Sequence, residues 1–382
     1  MSTKTRLMHG RTWLLCTLTL MIAGSMTGYA QNNCFEYEDN DETVITGLTE
    51  TGLAASSLTI PKEVTAVRSS SFSSSSAQVS ALVIESGGNP TFERNLFGTY
   101  NNSSNEDVPN DNPLRDIQIL GNSMTIENIS ALFESLGSVG ALNAVYIEGY
   151  SGPWSNIGVT DVLTNKVSVA LPAAMVTNQQ FGNAKVCGRI EITKEKELIT
   201  FCGNVTFQDI DDGSNMVFYV ADYRETDGRL HIQRVKNIAK GEGVLIHNAA
   251  GTSTWADLPR LSTDKETGDD TDLYDANMLV GVTVPTTIGR TDGNKTNYIL
   301  SNGAFHPTSG GTIGANKAYL QIPTSAARET LTISFDDEST GVKEVNGVKE
   351  VNDDSYFDLQ GRKVAQPTKG LYIMNGKKYV IR

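Results

Sequence analysis

The chain has 382 residues, 39% of them hydrophobic and 20% charged, so it can bury a sizeable core and form two or three domains. Its 31 Lys and Arg residues against 44 Asp and Glu residues give a net charge of −13, which excludes DNA or RNA as a partner because both are bound by basic surfaces. The four histidines and four cysteines leave little material for a zinc site or a cysteine–histidine enzyme. This composition predicts a secreted, non-enzymatic protein.

The start of the chain has the pattern of a secretory signal peptide. Basic residues precede a mostly apolar stretch at 13–23, and small residues at 28 and 30 fit a cleavage site. The apolar stretch is shorter than the roughly 20 residues that a membrane-spanning helix needs. We therefore interpret residues 1–30 as a signal peptide and expect no transmembrane segment after its removal. Cleavage removes three basic residues and no acidic ones, so the mature net charge is −16.

Three cysteines remain in the mature chain: Cys34, Cys187 and Cys202. An exported protein meets an oxidising compartment, and at most one pair can form. Cys187 and Cys202 both lie in segments with a strand pattern. The sequence leaves two alternatives open for them, a disulfide or two buried thiols.

The segment 31–195 contains a recurring pattern of an apolar residue, two others, and then two apolar residues separated by one. Equivalent apolar positions are Leu58, Leu82, Ile117, Val145, Val167 and Ile190, at steps of 24, 35, 28, 22 and 23 residues. Such a period is typical of solenoids, in which a short strand buries its apolar face by stacking on the same strand of the next unit. The polar stretch 101–112 is predicted to be a surface insertion.

One unit of this segment resembles the BspA-like leucine-rich repeats. Its residues are Leu58-Thr59-Ile60-Pro61, then Phe72 within the serine run 69–76, then Leu82-Val83-Ile84. The resemblance implies a leucine-rich-repeat-like solenoid, in which Phe72 fills the turn opposite the strand and a role in adhesion is expected. Candidates for the same position in later units are Phe97, Phe133 and Phe181.

The serine run could also be a linker or supply a catalytic nucleophile. A nucleophilic serine needs a base held nearby, and no histidine occurs in the mature chain before His231. The run also lacks a Gly-x-Ser-x-Gly elbow. The repeat interpretation is therefore favoured.

The segment 196–338 changes to alternating strands separated by turn residues. Strands are predicted at 216–220, 230–233, 243–246, 278–284, 297–300, 317–322 and 331–335, and Asp227-Gly228 is a hairpin signal. The pattern predicts an antiparallel β-sandwich or open barrel. The segment also resembles a module found near the C-terminus of many exported Bacteroidetes proteins, which implies export and no particular chemistry.

Acidic loops and histidines are the candidates for metal binding. The loops are 209–215, 105–111 and 264–275, and their carboxylates and amides are suitable oxygen ligands for calcium. None has the spacing of an EF-hand loop, so solvated turns are favoured. The histidines His231, His247 and His306 have no recognised metal-ligand spacing. We therefore expect no metal, no cofactor and no catalytic residue, and the ligand-binding residues are left open.

The end of the chain has features that predict a sorting signal for secretion. Residues 341–346 and 347–352 repeat the same six letters and fit a linker at 339–354. The segment 355–382 resembles the sorting signals of the type IX secretion pathway, although it is shorter than a full sorting domain. The resemblance implies recognition by a secretion machinery. The alternative is an extra hairpin that packs on the preceding module.

Taken together, these patterns predict a mainly β protein at the outer cell surface or secreted, with a periplasmic location as the alternative. The predicted function is adhesion, by binding a host or matrix protein or glycan through the repeat domain. A second hypothesis is an accessory glycan-binding protein of a polysaccharide-degrading system. It requires a row of exposed aromatic rings, with Trp154 and Trp255, near Tyr223, as candidates. A third is an enzyme that uses two carboxylates across a cleft.

Overall fold

The protein is mainly β in a computed structural model of the chain. The residues that it describes are 32–39, 41–73, 78–110, 113–137, 142–208, 216–224, 229–248, 252–261, 271–335, 356–357, 363–364, 370–374 and 377–381. The predicted signal peptide, the Asp227-Gly228 turn and the 339–354 linker lie outside these residues. Among the helices described, none is long and apolar enough to cross a membrane.

Contacts divide the chain into two compact units. The first comprises 1–168 with 180–184, and the second comprises 169–179 with 185–382. The change of strand pattern placed a domain boundary between 195 and 196, and this boundary stays a prediction.

The first unit contains ten strands and two α-helices among its described residues. The strands are β1 (Phe35–Glu38), β2 (Asp41–Leu48), β3 (Ser57–Ile60), β4 (Ala66–Val67), β5 (Ala81–Ile84), β6 (Thr91–Phe92), β7 (Thr99–Asn101), β8 (Asp107–Pro109), β9 (Asp116–Ile119) and β10 (Ala144–Ile147). The helices are α1 (Glu50–Ala54) and α2 (Ile126–Ser135), and a 3-10 turn lies at Asn32–Cys34.

The central feature of the first unit is a parallel ladder in the order β3-β5-β9-β10. The strands pair without a shift, so that Leu58, Leu82, Ile117 and Val145 are direct neighbours across the ladder. The second and fourth residues of each strand are buried. Four of the six spaced apolar positions identified in the sequence therefore lie side by side.

A second parallel ladder, β2-β4-β6, runs through the same unit, with β1 antiparallel to β2. Ile45, Val67 and Phe92 are its in-register neighbours and are all buried. Strands of the two ladders alternate along the chain from β2 to β6, so this part of the chain contributes a strand to each ladder in turn. The polar insertion at 101–112 forms its own antiparallel ribbon, β7 with β8.

Side chains bond to the backbone of the preceding segment and hold the register. The Glu85 carboxylate accepts a hydrogen bond from the Lys62 N–H at 3.0 Å, and the Glu148 carboxylate accepts one from the Gly121 N–H at 2.6 Å. The Ser80 hydroxyl donates to the Ser56 carbonyl at 3.1 Å. These bonds satisfy turn groups that no strand can pair.

Buried phenylalanines line the turns of the first unit. The Phe72 ring lies between the rings of Phe35 and Phe97, with centroid distances of 6.4 and 6.0 Å. Phe133 and Phe181, the other predicted members, are also buried. Their settings differ: Phe133 is on α2, and Phe181 stacks on Trp154 with a centroid distance of 4.8 Å.

Helix α2 was not predicted from the sequence. Thr125 caps its start by accepting a hydrogen bond from the Asn128 N–H at 3.2 Å. Ile129, Leu132 and Phe133 form its buried face, at the spacing of an amphipathic helix. This ten-residue helix lies between β9 and β10. It explains why the spacing from Ile117 to Val145 is 28 residues, longer than the shortest spacings of 22 and 23 residues.

The second unit contains the remaining strands. They are β11 (Ser168–Pro172), β12 (Lys185–Ile192), β13 (Leu198–Cys202), β14 (Phe207–Gln208), β15 (Met216–Arg224), β16 (Arg229–Val235), β17 (Asn237–Ile238), β18 (Gly243–Asn248), β19 (Thr254–Pro259), β20 (Leu279–Val282), β21 (Thr286–Ile288), β22 (Thr291–Asp292), β23 (Lys295–Ser301), β24 (Ala304–Pro307), β25 (Gly311–Ile313), β26 (Lys317–Pro323), β27 (Ile333–Phe335), β28 (Tyr356–Phe357), β29 (Lys363–Val364), β30 (Gly370–Met374) and β31 (Lys377–Ile381). The helix α3 spans Thr271–Asp275, and 3-10 turns lie at Ala173–Met175 and Thr324–Ala326.

Two sheets of the second unit share one core. One has the order β13-β18-β15-β16-β27, and the other has the order β20-β26-β23-β22 with β24 beside β23. Buried side chains from both sheets form one cluster, which includes Tyr219, Leu245, Tyr298 and Leu320. All seven predicted strands of this segment are present within four residues of their expected bounds. One pairing departs from the expected antiparallel pattern: β27 pairs with β16 in parallel.

Strand β12, which contains the copy of the repeat at Ile190, neighbours β11 on one side. On its other side it pairs antiparallel with β19, where Ile190 is opposite Ala256, a partner that the repeat pattern did not predict. A pattern of alternating apolar residues is shared by parallel and antiparallel strands, so the spacing alone could not distinguish them. The tail 355–382 contains four described strands in the order β29-β28-β30-β31.

Replacement of Phe72 by alanine should destabilise the protein strongly. The ring is 1% exposed and touches two other rings, and deletion of such a side chain costs about 3–5 kcal/mol. Urea denaturation followed by circular dichroism measures the loss. The matched control is Tyr100→Ala, since Tyr100 is 53% exposed in the same unit. Equal effects of the two substitutions would contradict the packing role of Phe72.

Candidate functional site

The partly exposed side of the β3-β5-β9-β10 ladder is a regular surface of the first unit. In each strand the first and third residues point away from the buried pair. We call these residues the outer face. It has two rows, Ser57, Ala81, Asp116 and Ala144 in one, and Thr59, Val83, Gln118 and Tyr146 in the other.

The outer face carries several small side chains and only one charged residue. Seven of its eight residues are neutral, and four are Ser, Thr or Ala. Small side chains on a regular sheet allow a partner's surface to approach closely, and the paired strands beneath are rigid. The face is therefore sterically open to the surface of a partner.

Asp116 is the one charged residue of the outer face. It lies between Ala81 and Ala144 on the neighbouring strands. No hydrogen bond or salt bridge reaches its carboxylate from the residues that the structure describes. Burial raises the pKa of Asp116, and the nearby charge of Arg115 opposes this only partly. The carboxylate is thus an incompletely compensated charge on a neutral surface.

The repeat pattern of the sequence contains a signal that distinguishes Asp116 from its equivalents. The residue before the second apolar position is Ala81 in one copy and Ala144 in another, but Asp116 in the copy between them. Across the four strands of the ladder this position is otherwise serine or alanine, so the charge of Asp116 marks a place where packing does not explain the choice.

The two predicted aromatic candidates have different settings. Trp154 belongs to a column with Tyr150 and Phe181, at centroid distances of 5.2 and 4.8 Å, and its indole N–H donates to Asn156. Trp255, in the second unit, is 44% exposed. Tyr223, which the sequence placed near Trp255 as a possible companion, is buried.

The expected row of exposed rings is not present among the described residues. Between residues 32 and 335, Tyr100 and Trp255 are the aromatic side chains with large exposed fractions in the described ranges, and they belong to different units. An accessory protein that lies along a polysaccharide surface needs several coplanar rings. The second sequence hypothesis therefore lacks the feature on which it depended.

The second unit contains a cleft of about 560 Å³. It is a candidate for the cleft that an enzyme with two catalytic carboxylates would need. It is lined by residues 195–200 and 300–303 and by Lys317. Hydrogen bonds from its own backbone N–H and from Thr193 lower the pKa of Glu195. Glu197 is 78% exposed at its side chain. A general acid needs a raised pKa, so Glu195 does not have the property that a catalytic acid requires.

The three histidines are dispersed. His231 is buried and lies opposite Asp222 in the register of β15 and β16. The His247 ring nitrogen is 3.4 Å from a Glu197 carboxylate oxygen, and His306 lies on β24. Within the described ranges, no three His, Cys, Asp or Glu residues lie close enough to hold a metal ion. The predicted acidic loop 209–215 and most of 264–275 lie outside those ranges.

The cysteine alternatives are resolved in favour of thiols. None of the three described cysteines forms a disulfide, and Cys187 and Cys202 are both buried. Burial, with a smaller effect of the Glu242 charge, raises the pKa of Cys202 to about 11. The thiolate is the reactive form, so this residue is chemically inert near neutral pH.

Comparison of the chain with known protein families, characterised proteins and solved structures found no match in any of the three.

Replacement of Asp116 by asparagine should stabilise the protein at neutral pH. The folded-state pKa is raised above 3.8, so the unfolded chain loses its proton at lower pH than the folded chain. The stability of the wild type consequently falls as pH rises through the interval between the two pKa values. The melting temperature of Asp116→Asn should exceed that of the wild type above this interval and match it below. The control is Asp107→Asn, which removes an exposed carboxylate of the same unit. A wild type that is more stable than Asp116→Asn at neutral pH would contradict this interpretation.

Proposed function

We propose that the protein is an exported, non-enzymatic binding protein, displayed at the outer cell surface or secreted. In this proposal the first unit is a leucine-rich-repeat-like solenoid related to the BspA-like repeats. Its outer face contacts a macromolecule of a host or of the extracellular matrix. The observation that carries the proposal is the in-register ladder, whose outer face is regular, rigid and nearly free of charge.

The uncompensated carboxylate of Asp116 supports a binding role for this face. Binding surfaces retain groups that cost folding stability, because those groups are satisfied only when the partner is present. A lysine or arginine of a protein partner would supply the missing positive charge and form a charge-assisted hydrogen bond. We therefore propose a protein, rather than a glycan, as the partner of the outer face.

The second unit and the tail have supporting roles in the proposal. The shared core of the two sheets supports a β-sandwich module, which would separate the binding face from the cell. The tail strands β28 to β31 would form the sorting signal for a secretion machinery. The strands of the tail are compatible with this role and equally with an added hairpin.

The binding role can be measured on matrix-coated surfaces. The full chain should adhere to plates coated with extracellular-matrix proteins, and Tyr146→Ala should reduce adhesion by about tenfold or more if Tyr146 anchors the contact. Tyr100→Ala is the control, because it removes an exposed tyrosine of the same unit outside the outer face. Equal loss in both variants, or no adhesion by the wild type, would contradict the proposal.

The location can be measured by protease shaving of intact cells of the source organism. Mass spectrometry of the released fraction should find peptides from the segments 41–73 and 271–335, one from each unit. A periplasmic protein of the same cells serves as the control for lysis. Peptides released only after lysis would place the protein in the periplasm, where adhesion to a host is impossible.

A further inference from the structure

The outer surface of the β12–β19 pair carries a cluster that the proposed function does not use. Glu191 is directly opposite Trp255, and Arg189 is directly opposite Asp257. The alternate residues of both strands, among them Ile190 and Ala256, are buried on the other side. We call Arg189, Glu191, Trp255 and Asp257 the Trp255 patch.

Packing within the unit does not explain the exposure of Trp255. An indole that is 44% exposed leaves a large apolar area in water, which costs free energy relative to a buried or smaller side chain. It is the aromatic ring with a large exposed fraction among the described residues of the second unit. The exposed ring offers an apolar face on which a ligand can stack.

The ring is held in one orientation by a fixed ion pair. The Arg189 guanidinium carbon lies 4.0 Å from the centroid of the Trp255 ring. Arg189 donates from Nε and Nη2 to the two carboxylate oxygens of Asp257, at 2.7 and 2.8 Å. Both charged side chains are largely buried. Because the ring is already ordered, a ligand that stacks on it has little side-chain entropy to overcome.

The charges of the patch select the chemical class of the ligand. Arg189 and Asp257 neutralise each other, and exposed Glu191 leaves a net negative charge, which disfavours an acidic ligand. A cationic ligand is disfavoured on the ring itself, because Arg189 already provides a cation there. A neutral ring with an apolar face and hydroxyl groups at its edge fits both constraints, since its hydroxyls can donate to the Glu191 carboxylate.

We propose that the Trp255 patch binds a single residue of a neutral carbohydrate, with the sugar stacked on Trp255 and its hydroxyl groups bonded to Glu191. This site is independent of the outer face and lies in the other unit. It differs from the expected row of rings, because one ordered ring with polar neighbours suits one sugar residue and not the surface of an insoluble polysaccharide.

Fluorescence of Trp255 tests the proposal directly. The chain contains three tryptophans, so Trp13→Phe and Trp154→Phe leave Trp255 as the only indole reporter. The full chain with both substitutions is titrated with soluble neutral oligosaccharides of glucose, mannose, galactose and N-acetylglucosamine. A saturable change in emission with at least one of them is expected, with a Kd of about 0.1–10 mM for a single-ring contact. Oligogalacturonate and tetramethylammonium should produce no saturable change.

Variants of the patch separate recognition from stability. Glu191→Gln should weaken binding of the responding sugar by about tenfold while leaving the melting temperature unchanged, because Glu191 is exposed. Glu329→Gln, which changes an exposed glutamate of the same unit outside the patch, is the matched control and should bind as the parent does. Trp255→Ala should abolish sugar binding as measured by calorimetry, and Trp255→Tyr should retain part of it. No response to any neutral sugar, a response only to oligogalacturonate or tetramethylammonium, or unchanged binding by Glu191→Gln would overturn the proposal.

Discussion

The first unit depends on the in-register pairing of strands that are too short to be stable alone. Each four-residue strand of the ladder buries only two side chains, and its backbone groups are satisfied by the strands on either side. The side-chain period of a strand is two, so a slip of one residue would turn Leu58 and its equivalents toward solvent. The same register creates the outer face, because it aligns the alternate residues into rows. Stability and the proposed binding surface therefore have one physical origin.

The turns keep this register. Carboxylates such as Glu85 and Glu148 bond to backbone groups one segment earlier, and Phe72 packs between the rings of two neighbouring segments. These contacts join residues more than twenty positions apart, so each segment is positioned by its predecessor. Asp116 is placed between two alanines by this arrangement. Burial raises the pKa of Asp116 in the isolated chain, and under the proposed function a cationic partner would stabilise the charged carboxylate.

Each unit has its own candidate surface, and the two surfaces differ in chemistry. The outer face is nearly neutral with one carboxylate, whereas the Trp255 patch combines an aromatic ring with a paired arginine and aspartate. Such a division is consistent with a chain in which one unit contacts a protein and the other contacts a sugar. In the cleft of the second unit, hydrogen bonds lower the pKa of Glu195, whereas a general acid needs a raised pKa.

The sequence by itself determined the strands, because alternation of apolar and polar residues is a local property. It located the ladder positions Leu58, Leu82, Ile117 and Val145 and the seven strands of the second unit. It did not reveal α2 or the antiparallel partner of Ile190, since helical caps are short signals and an apolar alternation has no direction. Tertiary structure alone decided the Trp255 patch: Arg189 and Asp257 are 68 positions apart, and only the β12–β19 register brings them together. Contacts between distant residues depend on pairing, which local patterns do not encode.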